Sequence, residues 1–280
     1  MEVLFKASGL TGFAFLLLLA WLFPVPAFCG LLQNTIDTDY KILPSGQVEV
    51  RYEFRNTGNE PVRHARIATF LALAADQSGN LGDNAPGGTL RYGCVLTPSL
   101  KPGQYVLVSR VHFEDIGGTQ HQLYHFNTIP YRTESVEKGR DAVAVELTEP
   151  SFNVKGFLGA KSATRITLQN NMKIPARAVV NFYLPEGFTT QTPQGIYDLA
   201  PGERREEDIP FKMERAFGGT YRFHVVVWQE GNDFHYAQRI QKSIHVEERP
   251  VYFRAFLFLA GFVLVILAAV FLWKRRKPTG

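Results

Sequence analysis

The sequence has few of the residues that mark a disulfide-rich or a nucleic-acid-binding protein. Its 280 residues include only two cysteines, Cys29 and Cys94, and two cysteines cannot form the disulfide framework of a small secreted domain. The formal net charge is +4, but the surplus basic residues lie near the two ends, which leaves the middle of the chain almost neutral. Because nucleic acid is bound by a clustered basic face, we do not expect this chain to bind it.

Catalytic and metal-binding motifs are also missing. The chain has no Gly-x-Ser-x-Gly, no His-Glu-x-x-His, no Walker loop and no Cys-x-x-Cys, so we predict that it is not an enzyme and holds no cofactor. His121 and His125 are the closest pair of histidines along the chain. Four residues apart on one strand, they would stand about 13 Å apart, too far to share a metal. A metal site would therefore require His121, His125 or Cys94 to converge in the fold.

The N-terminal segment predicts secretion. An apolar run over 13–23 is followed by two prolines and several small residues, a pattern typical of a signal peptide, which we place at 1–29. The small residues permit cleavage after Ala27 or after Cys29. The sequence therefore leaves open whether Cys29 remains in the mature chain and pairs with Cys94.

The C-terminal segment predicts a single membrane span. Residues 255–273 contain no charged side chain, and nineteen residues in a helix cross most of a hydrocarbon core of about 30 Å. We predict a transmembrane helix over 252–273 and a cytoplasmic tail over 274–280. The stop-transfer signal consists of four consecutive basic residues: Lys274, Arg275, Arg276 and Lys277. The positive-inside rule then places the body outside the cytoplasm. The absence of an Asn-x-Ser/Thr sequon favours a bacterial cytoplasmic membrane, with the body in the periplasm or at the cell exterior.

The body between these segments predicts β-structure. Apolar and polar residues alternate over 48–55, which indicates a half-buried strand. In the second half of the body we predict seven strands separated by Pro-Gly and Gly-Gly turns, near 152–157, 162–169, 176–184, 195–199, 205–213, 219–229 and 234–247. Seven short antiparallel strands in about 95 residues are typical of an immunoglobulin-like (Ig-like) sandwich. The predicted fold class is all-β, with two tandem Ig-like antiparallel sandwiches over 33–149 and 150–248.

Three pairs of motifs occur in the same order in both halves and indicate an internal repeat. Asn56 stands 114 residues before Asn170. The other pairs are Leu100–Gly103 with Leu199–Gly202, and Gly117–Thr119 with Gly218–Thr220. On this alignment the first copy is longer, and the extra length is a Gly-, Asn- and Asp-rich stretch that we predict to be a long loop over 76–93.

The second half resembles bacterial CARDB and NEW3-type modules. The resemblance covers 151–247 and rests on three motifs: Ile166–Asn171, Leu199–Gly202 and Gly219–Tyr221. It implies Ig-like domains on a surface protein with an adhesive or accessory role. The layout of signal peptide, two such units, span and basic tail is also similar to that of Gram-positive proteins that bridge peptidoglycan and surface modules.

These features predict a membrane-anchored binding or scaffold protein, an accessory component of an envelope assembly whose partner is another envelope protein. A carbohydrate- or peptidoglycan-binding module is the first alternative, and a metal or redox accessory subunit is the second. The glycan alternative needs exposed aromatic rings near Trp228. The candidate binding surface consists of Trp228, Tyr236, Arg204, Arg205 and Glu206.

Overall fold

The computed structural model describes residues 32–71, 75–132, 140, 142–152, 161–214, 218–231, 234–247, 259 and 261–266. Nearly all of them lie in β-strands or in the turns between strands, and the strands form two sandwiches. The prediction of an all-β sandwich fold is therefore confirmed.

The first sandwich packs a three-stranded sheet against a four-stranded sheet. The three-stranded sheet has the order β1-β2-β5, with strands β1 (Asn34–Ile42), β2 (Val48–Asn56) and β5 (Thr89–Leu96). The four-stranded sheet has the order β4-β3-β6-β7, with strands β3 (Val62–Leu71), β4 (Ala75–Asn84), β6 (Gly103–Glu114) and β7 (Gln120–Tyr131). All of these pairings are antiparallel.

The second sandwich repeats this arrangement. One sheet has the order β12-β14-β10-β8, with strands β8 (Val143–Leu147), β10 (Lys161–Asn170), β12 (Phe188–Thr190) and β14 (Arg204–Met213). The other has the order β13-β11-β15-β16, with strands β11 (Ala176–Tyr183), β13 (Gln194–Leu199), β15 (Gly219–Glu230) and β16 (His235–Val246). The two-residue strand β9 (Ser151–Phe152) pairs in parallel with the end of β16.

The connectivity of both sandwiches is that of an Ig-like domain. In chain order, the first, second and fifth strands of the first sandwich share one sheet, and the third, sixth and seventh share the other. These are the A-B-E and C-F-G sheets of the immunoglobulin fold. In the second sandwich β8, β10 and β14 take the A, B and E positions, and β11, β15 and β16 take the C, F and G positions.

Each sandwich has its own hydrophobic core, and strand alternation explains both cores. Along β2, every second residue from Val48 to Asn56 is buried, because successive side chains of a strand point to opposite faces. Aromatic rings fill the centre of the second core, where Phe211 meets Phe223 edge to face at a centroid distance of 5.4 Å. The two cores contain different sets of residues.

The long loop predicted over 76–93 is wrong, because most of this stretch forms β4 and β5. The glycines of this stretch have different roles: Gly82 and Gly87 have positive φ values, whereas Gly79 permits close packing. Gly79 lies against the ring of Tyr92, and a Cβ atom at position 79 would overlap that ring. The buried Asn84 donates from Nδ2 to the carbonyl of Phe54 at 3.3 Å. These residue types, which are common in turns, here lie in β4, a polar strand at the edge of its sheet.

The predicted boundary at 149/150 is displaced. Residues Val143–Leu147 pair with β10 of the second sandwich, although the sequence analysis assigned them to the first. A run of five alternating residues shows that a strand is present but not which sheet it joins. The pairing with β10 assigns this strand to the second sandwich.

The internal repeat is present, but two of the three predicted pairs of motifs were misaligned. Asn56 and Asn170 both end the B strand, as predicted. Leu100–Gly103 leads into the F strand β6, whereas Leu199–Gly202 leads into the E strand β14. The equivalent F strands begin at Gly103 and Gly219, 116 residues apart.

The predictions for the two ends of the chain fall mostly on residues that the structure does not describe. The signal peptide at 1–29 and the tail at 274–280 lie outside the described residues. Of the span predicted at 252–273, only Leu259 and 261–266 are described, and they are helical. Within the part of the chain that is described, no helix is long and apolar enough to cross a membrane.

Candidate functional site

The two sandwiches meet through the outer faces of their C-F-G sheets, in a contact that we call the inter-sandwich interface. On most outer faces of this fold, residues that point away from the core are charged or polar. Here they are apolar and buried. The buried centre of the interface consists of Val106, Val108, Val179, Val226, Trp228 and Ala237. A face covered in this way holds the two units in one orientation, because separating them would expose apolar surface to water.

The closest approach of the two sandwiches occurs at Gly103. The backbone N–H of His235 donates to the carbonyl of Pro102 at 3.0 Å, so that β16 pairs in parallel with the start of β6. Gly103 has φ +149°, and a Cβ atom there would overlap the carbonyl oxygen of His235. Only glycine fits this position. Gln104 completes the contact by donating from Nε2 to the carbonyl of Ala237 at 2.9 Å.

A stacked pair and an ion pair support this approach. The ring of Tyr105 stacks on the ring of His235 at a centroid distance of 4.1 Å and an interplanar angle of 6°. Lys101 Nζ lies 2.7 Å from Glu230 Oε1 and also donates to the carbonyl of Gly231 at 3.1 Å. Burial lowers the pKa of His235 to about 4, against the opposing effect of Glu230. His235 is therefore neutral at pH 7.

An aromatic cluster forms the middle of the interface. Phe126 of the first sandwich contacts Tyr183 edge to face at 5.4 Å and His224 at 4.6 Å. The guanidinium of Arg239 lies over the ring of Phe126 at 5.5 Å. The pKa of His224 is lowered to about 4. Burial is the largest cause, and the positive charges of Arg239 and Arg222 lower the pKa further. A protonated His224 would place a further positive charge beside Arg239.

A third contact involves His121. Its Nδ1 lies 2.8 Å from Glu186 Oε2 of the second sandwich, and its Nε2 lies 3.2 Å from Asp115 Oδ2 of the first. Burial acts to lower the pKa of His121, but the two carboxylates outweigh burial and raise it. Gln122 donates from Nε2 to the carbonyl of Leu184 at 3.4 Å. These contacts join β7 to the segment that follows β11.

Several polar atoms at the interface are buried without a hydrogen-bond partner among the described residues. They include Trp228 Nε1, His224 Nδ1 and His235 Nε2. A buried polar atom that lacks a partner costs about 1–3 kcal/mol. The interface is therefore held mainly by packing, with a few polar contacts.

Two of the five predicted binding-surface residues lie in the interface or beside it, and both are buried. Trp228 is 8% exposed and Tyr236 is 7% exposed, so the expectation that they form an open stacking face is wrong. The physical reason is that the sheet face that carries Trp228 is covered by the first sandwich. Sequence alternation shows which way a side chain points but not what covers it.

The other three predicted residues lie together on β14, in the opposite sheet. Arg204 Nη2 lies 3.0 Å from Glu206 Oε1, and both side chains are exposed. The guanidinium of Arg205 lies over the ring of Tyr197 at 5.4 Å. Their role in binding stays a prediction. The stop-transfer residues lie outside the described part of the chain: Lys274, Arg275, Arg276 and Lys277.

The candidate metal residues have other partners or are buried. His121 is held by two carboxylates, and burial lowers the pKa of His125. Cys94 is buried without a disulfide partner among the described residues, and burial raises the pKa of its thiol. Among the residues that the structure describes, no group of three or more His, Cys, Asp or Glu side chains could hold a metal ion. Cys29 lies outside these residues, so its pairing with Cys94 stays a prediction.

Sequence reasoning missed Gly103, although a signal for it exists. The motif Gly-x-Tyr occurs at 103–105, 195–197 and 219–221, and the first and third copies open the two F strands. The glycines of these two copies share nearly the same backbone conformation, with φ values of +149° at Gly103 and +147° at Gly219. Aligning the halves on the first and third copies would have given the correct repeat and drawn attention to both positions.

No family model matches the chain, and no curated protein matches it. Among solved structures, it is similar to Escherichia coli α2-macroglobulin from domain MG7 to the C-terminus, with 19% identity and a TM-score of 0.33, over 38% of this chain and 16% of that chain. It is also similar to PapD-like domain 7 of human CEP192, with 15% identity and a TM-score of 0.26, over 38% of this chain and 87% of that chain. It is similar to the periplasmic chaperone SfaE with 11% identity and a TM-score of 0.26, over 39% of this chain and 57% of that chain. TM-scores this low support no inference about function.

Proposed function

We propose that this chain is a membrane-anchored extracytoplasmic binding or scaffold protein, in which the two Ig-like sandwiches act as one rigid unit. The observation that carries the proposal is the backbone contact at Gly103, where β6 and β16 approach too closely for any side chain. Two tethered domains that move freely have no need of such a fit. A scaffold that must present two modules at a fixed angle does need it.

The outer faces that remain open support a role in presentation. The A-B-E sheet of the first sandwich carries ion pairs along its surface, with Arg51 2.8 Å from Glu49 and Arg91 3.0 Å from Glu53. Arg165 similarly lies 2.8 Å from Asp208 in the second sandwich. Faces whose charges are paired within the chain and solvated are poor docking surfaces. Recognition would then fall to the strand edges and the loops.

The sequence of the two ends supports the proposed location. The uncharged stretch over 255–273 and the basic run after it favour a bacterial cytoplasmic membrane, with the C-terminus in the cytoplasm. The positive-inside rule places both sandwiches outside the cytoplasm, so the partner would be met there. We propose another envelope protein as that partner.

The glycan-binding alternative has lost the ring face on which it depended, since Trp228 is buried in the inter-sandwich interface. No observation among the described residues favours the metal alternative. Neither is proposed further.

The test is affinity purification of the full-length protein from mildly solubilised membranes, followed by mass spectrometry. Gly103→Ala breaks the contact between the sandwiches. Gly219→Ala is the matched control, because Gly219 has nearly the same φ but nothing within 4 Å of an added Cβ. We expect a stoichiometric protein partner with the wild-type protein and with Gly219→Ala, and its loss with Gly103→Ala. Recovery of no partner by the wild-type protein would contradict the scaffold function, and equal recovery by Gly103→Ala would contradict the need for rigidity.

A further inference from the structure

Strand β7 is an edge strand with a free row of backbone groups. Within the described residues its only ladder is with β6. The backbone N–H of Asp115 donates to the carbonyl of Thr119 at 3.1 Å, which places the odd-numbered residues of β7 in hydrogen-bonded pairs with β6. The N–H and C=O groups of the even-numbered residues therefore point away from β6. A contact of Thr128 confirms that the even-numbered groups point away from β6, because its carbonyl accepts from the Tyr40 hydroxyl at 3.2 Å.

The side chains of β7 are arranged as expected for an open edge. All seven residues over 121–127 are partly exposed, whichever face they occupy. The neighbouring strand β6, which is paired on both sides, buries eight of its twelve residues and leaves the other four half-buried. The available free groups are those of Gln122, Tyr124 and Phe126.

Unlike the other long edges, β7 lacks the features that prevent strands from pairing with a second chain. It contains no Asp, Glu, Lys or Arg in twelve residues, and its register with β6 is continuous. Other edges are protected in ways that natural sheets commonly use. Strand β1 carries Asp37, Asp39 and Lys41, strand β16 carries Arg239 and Lys242, and β4 is bulged. Towards the end of β7 the outward side is interrupted at two places: the Tyr40 hydroxyl already bonds to the carbonyl of Thr128, and Pro130 has no N–H.

We propose that β7 pairs antiparallel with β7 of a second copy of this chain, across a two-fold axis. Charge favours this occupant. The acidic residues Glu114 and Asp115, which contact His64 and His121 within the chain, precede the start of β7, and the exposed Arg132 follows its end. Two-fold antiparallel pairing places the acidic end of each copy beside Arg132 of the other, with uncharged residues between them. Such a contact uses one patch twice and closes on itself, so that it forms a dimer and not a fibre.

The test is the mass of the full-length chain in mild detergent by light scattering across a concentration series. Gln122→Pro removes one outward N–H from the edge of β7, and Gln122→Lys adds a charge there if the proline variant does not fold. Because the Gln122 side chain also donates to the carbonyl of Leu184 across the inter-sandwich interface, Gln122→Ala is a second control that loses this bond and keeps the backbone N–H. Gln241→Pro is the matched control, because its N–H points to the free edge of the equivalent G strand β16. That direction follows from the outward N–H groups of His235 and His245, which donate to Pro102 and Pro150.

We expect a dimer of the wild-type chain, of Gln241→Pro and of Gln122→Ala, and a dissociation constant at least tenfold higher for Gln122→Pro or Gln122→Lys. We also expect slow hydrogen exchange of the Tyr124 and Phe126 amides in the dimer. A monomeric wild-type chain would overturn the proposal, as would a dimer that Gln122→Pro and Gln122→Lys leave unchanged or that Gln122→Ala weakens equally. A monomer whose Tyr124 and Phe126 amides become protected only with another protein would also overturn it, in favour of a strand from that protein.

Discussion

At the scale of single residues, one buried amide closes the same corner in both sandwiches. Asn56 and Asn170 are 1% and 0% exposed. In each, Nδ2 donates to a carbonyl four residues ahead, that of Glu60 at 2.7 Å or of Ile174 at 2.9 Å. Oδ1 accepts from the amide two residues ahead. The side chain thus provides hydrogen bonds to a turn whose backbone groups would otherwise be buried without partners.

We predict that Asn56→Asp and Asn170→Asp each lower the free energy of unfolding by about 2–3 kcal/mol. The substitution keeps the acceptor, removes the donor and buries a charge. Urea unfolding measures the effect. Lys173→Ala, an exposed change in the second of these turns, should cost less than about 0.5 kcal/mol. Losses of similar size in all three variants would show that the amide is not what closes the corner.

The buried hydroxyl groups of the first core give a second residue-scale prediction. Tyr52 Oη lies 2.8 Å from Thr69 Oγ1 and accepts from Ser109 Oγ at 3.0 Å, and burial raises the pKa of Tyr52 to about 12. We expect Tyr52→Phe to lower the free energy of unfolding by about 1–2 kcal/mol, because two hydroxyls lose a partner. Adding Thr69→Val and Ser109→Ala should restore part of that loss in urea unfolding. A further large loss in the triple variant would contradict the account.

At the scale of the strands, alternation predicted most of the second sandwich and failed where composition misled. The bounds predicted for β10, β11, β14, β15 and β16 differ from the observed bounds by at most one residue at each end. Strand β4 was missed because its Gly, Asn and Asp residues are those of a loop, while its position at an edge against Tyr92 permits them. The inter-sandwich interface could not be predicted. Val226 and Trp228 look like core residues in the sequence, and only the fold shows that the second unit covers them.

The contact between β6 and β16 gives a prediction at this scale. Gly103→Ala should lower the free energy of unfolding by about 2–4 kcal/mol, because the new methyl group overlaps the His235 carbonyl and forces the strands apart. Gly219→Ala should lower the free energy of unfolding by only about 1–2 kcal/mol, because its cost is limited to an unfavourable backbone conformation. Urea unfolding of both variants checks the difference. Equal losses would mean that the approach of the two strands contributes nothing.

At the scale of the whole molecule, the histidines of the interface make the joined state sensitive to acid. The folded-state pKa values of His224 and His235 lie at about 4, below the ordinary value of about 6.5. Both groups therefore favour the folded state fully above pH 6.5, and this contribution is lost as the pH falls from 6.5 towards 4. His121 acts in the opposite direction, because its pKa is raised. Its contribution is present below pH 6.5 and is lost as the pH rises through that raised value.

We predict that lowering the pH from 7 to 5 reduces the free energy of unfolding by about 1–2 kcal/mol for each of His224 and His235. The variant His224→Phe keeps a ring beside Phe126 and removes the titrating group, so its stability should depend less on pH. Urea unfolding at a series of pH values checks this. An unchanged slope between pH 7 and pH 5 in the variant would show that His224 does not contribute.

The central claim is that the interface holds the two sandwiches in one orientation, and a distance distribution tests it most directly. Spin labels would replace the exposed side chains of Arg91 on β5 and Asp198 on β13, in a full-length chain whose Cys29 and Cys94 are changed to serine. We predict one narrow distance distribution at pH 7 for this protein and for its Gly219→Ala variant, and a broad one for Gly103→Ala. A broad distribution in the protein with an intact interface would contradict the account.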